Sequence, residues 1–426
     1  MTLNHLDACE ISRHIRSGEA KPSQVMQAHL ERIAAREPQV GAFIHLDADR
    51  AMDLAREADA KEPSGLLFGV PFVIKDIIDT QNMPTRWGSP LYENRVPERD
   101  AACVESFVQA GAIPIGKTVT TEFAYFKPGK TANPHNLCHT PGGSSSGSAA
   151  AVADFMAPLA FGSQTAASLI RPAAYCGVRA FRPTTGGFDL KGVMGLAPSL
   201  DTLGVLARSV RDLALCRAVL TDTQPPAETD FEDAQPRIGL MRGPHWADGS
   251  VEMRDTCQRA LQAIAATGAE VCELTHPPIF DSLTRAQITV MGYEASRIRA
   301  HEYFAGGERI SPQFRALIED GQKVSDAEYQ DALARRDRAN AMLDSLFRDV
   351  DVILAPSAPG PAPLGLSATG DPLYSRSWNL LQLPTVALPF GSTEDGLPMG
   401  VQLLGPRGGD VALLAVARWV EAAFAR

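Results

Sequence analysis

This chain lacks most of the features that place a protein in a functional class at a glance. It has no run of lysines and arginines, and 50 acidic against 40 basic residues give a formal charge of −10. That excludes a sequence-independent electrostatic grip on nucleic acid or an anionic membrane, although an acidic surface can still surround a cationic pocket. The seven cysteines (Cys9, Cys103, Cys138, Cys176, Cys216, Cys257 and Cys272) form no Cys-x-x-Cys pair and no Cys/His ligand spacing. Metal ligation is therefore not expected, whereas reduced, buried thiols in a cytoplasmic protein are. No stretch nears the ~20 apolar residues of a membrane span, and the polar opening MTLNHLDACEISRHIRSGEA has no signal-peptide core.

What is present is a chain of 426 residues, 45% of them hydrophobic, enough to bury a large core. Length alone suggests two or three domains, but large α/β enzymes also run longer as one unit. Helical and strand patterns alternate. PSQVMQAHLERIAARE (22–37) carries Met26, Leu30 and Ile33 on one helical face, and LLFGVPFVIK (66–75) is an apolar run of buried-strand type. The stretches 101–118 and 255–275 share a grammar of helix, glycine stop and strand. Two strands around a turn are expected over 383–405 and a closing helix over 410–425. An acidic, proline-rich linker lies at 221–236, a strand follows in RIGLMRG, and 250–350 reads as mostly helical. The class is α/β with a mostly buried sheet.

Two motifs match by letter and fail on context. GAIPIGKT (111–118) has the phosphate-loop pattern, but a helix precedes it and its interior Ala112-Ile113-Pro114-Ile115 is apolar, with a proline that has no N–H to offer phosphate. Those residues read as a strand. GSSSG (143–147) fits Gly-x-Ser-x-Gly, which would make Ser145 a nucleophile. That elbow needs a strand immediately before it, and NPHNLCHTPG is a loop. The chain also shows no acid-then-histidine order downstream.

Three other stretches draw attention together. GVPFVIKDIIDT places Lys75 at the end of an apolar strand. The Gly/Ser loop GGSSSGS leads into SAAAVADFMAPLAFG (148–162), which reads as a helix. GSQTAASLIRPAAYCG (162–177) sets small residues around Ser168, with Arg171 three positions later. Each alone has an ordinary structural reading: a lysine snorkelling off a strand end, a flexible turn, a tight loop in a core.

Together, these stretches resemble the amidase signature family, and PAAYCGVRAFRPT (172–184), SLDTLGVLARSVRDLAL (199–215) and AGAIPIGKTVTTEFA (110–124) extend the likeness over essentially the whole chain. The resemblance implies one α/β/α domain over 1–426 around a large mixed sheet, with the motif core at 66–215 and a mostly helical variable region at about 237–350. It implies no metal or organic cofactor, a small-molecule amide substrate, and homodimers in some members, although nothing in the sequence marks an interface. By the family's Ser-Ser-Lys pattern, Ser168 is the nucleophile, Ser144 the bridging serine beside a cis peptide, and Lys75 the base. Thr165-Ala166-Ala167-Ser168 resembles the oxyanion loop, with Ala166-Ala167 where the family usually has Gly-Gly. Two added methyls there bear on pocket size and on how closely the backbone meets substrate.

Within the family the likeness is to malonamidase-type enzymes, carried by KDIIDTQNMPT, NPHNLCHTPGGSSSGSAAAV, SLIRPAAYCG and SAPGPAPLGLSATGDPLYSRSW (357–378). By that likeness Arg171 holds a substrate carboxylate, and the reaction is cleavage of a small, carboxylate-bearing amide to acid and ammonia. Tyr374, Arg376 and Trp378 are further pocket candidates, whereas Asp76, Asp201 and Arg208 read as scaffold. Two other readings stand beside it: a glutaminase-like component of an amidotransferase, and a catalytically silent binding protein on the same fold. A lysine base must be neutral, so burial has to lower its pKa from ~10.4 toward neutrality.

Overall fold

A computed structural model of the chain describes residues 2–225 and 235–425. Its frame is one mixed sheet of eleven strands. In chain order these are β1 (Phe43–Leu46), β2 (Pro71–Lys75), β3 (Ile113–Thr118), β4 (Leu159–Gln164), β5 (Arg179–Arg182), β6 (Thr202–Ala207), β7 (Arg237–Met241), β8 (Glu270–Leu274), β9 (Val352–Pro356), β10 (Thr385–Ser392) and β11 (Pro398–Leu404). Their order across the sheet is β1-β3-β2-β4-β6-β5-β10-β11-β9-β7-β8. β2 runs parallel to both β3 and β4, and β7 runs parallel to β8 and β9; the remaining pairs are antiparallel.

Burial follows position in that order. Every residue of β2, β4, β6, β9 and β11 is buried, in keeping with their largely apolar composition. The edge strands β1 and β8 are half-exposed, and β8 carries Glu270 and Glu273, charges that discourage pairing with another chain. The two helix–glycine–strand passages take their expected form: helix Ala102–Gln109 leads into β3, and helix Val251–Ala265 into β8. The antiparallel pair β10–β11 and the closing helix Asp410–Phe424 also appear where the pattern put them.

Three expectations change in detail. The strand read over 66–75 is only Pro71–Lys75, because Gly69 at φ +74° closes a turn just before it. The helix read over 148–162 is two elements. Helix Ser146–Ala153 ends, Pro158 removes an N–H that a continuing helix would need, and β4 begins at Leu159. The helix begun at Pro22 continues past 37 to Val40. The proline-rich linker of 221–236 falls largely outside the described residues, which resume at 235.

Parallel pairing decides where chemistry can sit. Val73 pairs with Ala160 in the β2–β4 register, so two residues further on Lys75 comes level with Gly162 and Ser163. The loops leaving the carboxyl ends of these strands open on a common crevice, the usual place for a site in a sheet of this kind.

Candidate active site

Lys75 is fully buried at the end of β2, and its amine lies among three hydroxyls: Ser144 Oγ at 2.6 Å, Ser163 Oγ at 2.8 Å and Ser145 Oγ at 3.1 Å. Ser163 comes from β4. Ser144 and Ser145 come from the turn that starts helix Ser146–Ala153. Close approach of these segments depends on Gly162, where an added Cβ would sit 2.9 Å from Ser145 Oγ and 2.5 Å from a methyl of Leu169. The peptide between Gly143 and Ser144 is cis. Burial pushes the Lys75 ammonium well below the ordinary lysine value, and the Asp201 carboxylate opposes that shift.

Ser144 and Ser168 open on one pocket, which Thr165, Ala166, Ala167 and Arg171 also line. The Ser168 hydroxyl has no hydrogen-bond partner among the described residues, and its backbone carbonyl accepts from Ser145 N at 3.1 Å. Ser145 itself is sealed, with its Oγ accepting from Ser163 N at 3.2 Å. The loop after β4 therefore presents Ser168 to the pocket, while the Gly-x-Ser-x-Gly serine faces inward.

Two interactions set the geometry of that loop. Gln164 Oε1 accepts from Leu169 N and Ile170 N, both at 3.1 Å, capping helix Ile170–Cys176 immediately after Ser168. Thr165 Oγ1 donates to Asp201 Oδ1 at 2.5 Å, while Asp201 Oδ2 accepts from Leu196 N at 2.6 Å and Ala197 N at 2.9 Å. Burial raises Asp201 to about 6 against those hydrogen bonds. Asp201, read from sequence as scaffold, is thus bonded directly to a pocket residue. The backbone N–H groups of Ala166, Ala167 and Ser168 have no partner among the described residues. Three consecutive free donors on a pocket wall suit an oxyanion.

Arg171 lines the pocket, but its fork is largely committed. Nη1 donates to Gly370 O at 2.8 Å; Nη2 donates to Gly143 O at 2.6 Å and Thr369 Oγ1 at 3.1 Å. Nε is buried without a partner, and burial lowers the guanidinium to about 10. The side chain ties the loop at 369–370 to the carbonyl preceding Ser144.

Tyr374 and Trp378 do not line this pocket: Tyr374 donates to His245 O at 2.6 Å, and Trp378 packs edge-on to Phe280. Arg376 donates to Gln287 Oε1. Sequence reasoning missed the apolar wall of Tyr125, Phe126, Leu196, Met291 and Pro372. Phe123 and Ala124 reach φ +49° and +57°, a left-handed excursion that brings Tyr125 and Phe126 round to the pocket. No glycine marks that turn, so nothing in the residue types announces it. None of the lining residues is acidic.

The seven cysteines are unpaired; four are buried, Cys9 is half-buried, and Cys138 and Cys272 are exposed, so the expectation of buried thiols holds for part of the set. Among the described residues no helix is long and apolar enough to cross a membrane.

The chain resembles known proteins along nearly its whole length. The family description "Amidase" matches residues 24–414. A glutamyl-tRNA(Gln) amidotransferase subunit of Thermus thermophilus is 35% identical, over 98% of this chain and 97% of that one. A crystal structure of an amidase superposes with a TM-score of 0.90 at 31% identity, covering 98% of this chain and 100% of the other. A structure from a vestigial protein complex bearing on the origins of an s-triazine catabolic enzyme gives a TM-score of 0.90 at 26% identity, covering 98% of both.

Proposed function

The chain belongs to the amidase family and is a serine amidohydrolase of C–N amide bonds, and from that premise we propose that it cleaves a small primary amide through Ser168, Ser144 and Lys75. The observation that carries the proposal is the Lys75 amine, fully buried among hydroxyls with Ser144 bridging it to the pocket. A neutral amine offers two N–H groups and one lone pair, so three hydroxyl neighbours satisfy it only if one of them donates. Ser145 Oγ lies 3.4 Å from Ser163 O, an acceptor for its proton. Of the other two hydroxyls, Ser144 is the nearer at 2.6 Å and lines the pocket.

The reaction then balances without histidine. Ser168 Oγ attacks the amide carbon as its proton passes to Ser144, whose own proton moves to Lys75. The free N–H groups of Ala166 to Ser168 receive the oxyanion. The proton returns along the same path to the leaving nitrogen, the C–N bond breaks, ammonia departs, and water hydrolyses the acyl-Ser168 ester. The unpaired thiols suit a reducing, cytoplasmic setting.

For the donor amide we rank glutamine, in a glutaminase-like protein that works with partner chains, ahead of a malonamate-like acid amide. Relatives over the full length are amidotransferase subunits; the Arg171 fork, turned on carbonyls, holds no place open for the carboxylate of either amide. One observation favours the acid-amide reading: no carboxylate lines the pocket to pair an α-ammonium. Ammonia release from glutamine, malonamate, malonamide and propionamide separates the two, with Ser168→Ala and Arg171→Ala alongside. Selective loss of the acidic amides in Arg171→Ala supports a carboxylate clamp; equal loss on every amide supports the loop tie. Equal release by wild type and Ser168→Ala would overturn the assignment of the nucleophile.

A further inference from the structure

The oxyanion loop is held from behind by side chains that the reaction scheme does not use. The Thr165 carbonyl accepts two hydrogen bonds, from Gln287 Nε2 at 3.0 Å and from Asn379 Nδ2 at 2.7 Å. Both donors are fully buried. They arrive from distant parts of the chain, Gln287 on helix Leu283–Ile298 and Asn379 on helix Leu373–Leu380. Met291, one turn after Gln287 on the same helical face, lines the pocket.

Chemistry fixes which way each amide points. Arg376 carries only donors, so the atom it meets on Gln287 must be the carbonyl oxygen, leaving the NH2 for Thr165. Asn379 meets two carbonyls, Thr165 O and, at 3.1 Å, Leu200 O, so its NH2 must face both; its own oxygen has no partner. Neither amide can flip without setting like against like.

A carbonyl held this way controls the N–H at the other end of its peptide. The Thr165–Ala166 bond is trans, since the cis bond among the described residues is Gly143–Ser144. In a planar trans peptide the N–H points opposite to the C=O. Pinning Thr165 O therefore pins the direction of the Ala166 N–H, one of the three free donors on the pocket wall. Asp201 holds the Thr165 side chain from another direction.

We propose that Gln287 and Asn379 are positioning residues for the oxyanion loop, with Arg376 setting the orientation of the Gln287 amide. This rests on the reading of Ser168 as nucleophile. It also bears on Ala166-Ala167: a loop without glycines has its peptide planes set by outside hydrogen bonds.

The test is the rate at which a fluorophosphonate labels Ser168 in the full-length protein, beside kcat and KM on the fastest amide of the panel. Labelling joins Ser168 Oγ to phosphorus, expels fluoride, sends the proton to Ser144 and Lys75, and puts a phosphonyl oxygen where the oxyanion would sit. Gln287→Met removes the donor; Gln287→Glu keeps the volume and the partner for Arg376 while turning the donor into an acceptor. Both should slow labelling and kcat about ten-fold, less than the ~10²–10³ typical of deleting an oxyanion donor outright, with KM within about two-fold. Adding Asn379→Leu should deepen the loss. Folded variants labelled at the wild-type rate would overturn the positioning role while leaving the nucleophile intact. No labelling of wild type at Ser168 would overturn the reading beneath it, and the inference with it.

Discussion

Two fully buried lysines stand side by side on adjacent strands, and their different surroundings support the proposed split between catalysis and architecture. Lys75 ends β2; Lys117 lies in β3, paired with Ile74 while Lys75 pairs with Thr118. Alternation along a strand sends the two side chains to opposite faces of the sheet. On one face Lys75 meets only serine hydroxyls, and one of those opens on a pocket. On the other, Lys117 donates to Ile78 O, to Thr85 Oγ1 at 2.7 Å and to Thr80 Oγ1 at 3.2 Å. Burial lowers both. For Lys117 the drop stops at about 8, with Asp76 and Asp79 opposing it; Lys75 has only Asp201 against it. Hydroxyls that lead to a pocket suit the base proposed for Lys75, whereas a carbonyl and local threonines make Lys117 a tie.

The sharpest break of that comparison is Lys75→Met against Lys117→Met. Lys75→Met is expected to cut kcat by ~10²–10⁴, the usual worth of a positioned general base, with melting temperature close to wild type. Lys117→Met is expected to keep the chemistry and lose about 1–3 kcal/mol of stability, since it leaves the buried Ile78 carbonyl with only the long 3.5 Å hydrogen bond from Thr85 Oγ1 and takes a donor from the Thr80 and Thr85 hydroxyls. Calorimetry and ammonia release on the same preparations check both. An inactive, fully stable Lys117→Met would sink the division of roles.

Next in size is pH dependence. In the proposed mechanism Lys75 works neutral, so activity is expected to fall as pH drops through its lowered pKa, on an acid limb well below the ~10.4 of a free lysine. Asp201→Asn removes the charge that favours the ammonium and should move that limb to lower pH. Lys117 shows itself in stability instead. Its folded value of about 8 lies below the unfolded ~10.4. Between those values the unfolded chain binds more protons, so stability rises with pH across that window, and the burden of burying the charge is complete below it. The difference between wild type and Lys117→Met should follow this window in denaturation at pH 7 to 10; a pH-independent difference would contradict the assignment.

The smallest effect is expected at Ser163→Ala. It removes one of three hydroxyls around Lys75 and one hydrogen bond of about 0.5–1.5 kcal/mol. A loss in kcat of about ten-fold or less with KM unchanged is the expected outcome, and an inactive variant would mean that Ser163, not Ser144, is the bridging hydroxyl.

Much of this was legible in the residue order. The apolar run into Lys75, the glycine-flanked serines and the small residues around Ser168 carried a family pattern, and the strand and helix periods placed most elements. The phosphate-loop lookalike was recognisable as β3 because Pro114 and its apolar neighbours suit a buried strand and not an anion. Illegible were the contacts that join distant segments. Gln287 and Asn379 are ordinary residues in helical patterns; only their meeting at Thr165 O gives them a role. Tyr125 and Phe126 reach the pocket through a left-handed turn without glycine. Arg171 was visible as a cation three residues past Ser168, yet its partners Gly143 and Gly370 lie 28 and 199 positions away.

The sequence by itself determined which groups could react and how the local chain would run, because periodicity, turn chemistry and motif spacing are properties of neighbours along the chain. Tertiary structure decided what surrounds each of them. The β2–β4 register brought Lys75 level with Ser163, burial stripped its ammonium of water, and the Arg171 fork was filled by carbonyls. Solvation and hydrogen-bond supply depend on everything within a few ångströms in space, and most of what surrounds this site is far away in sequence.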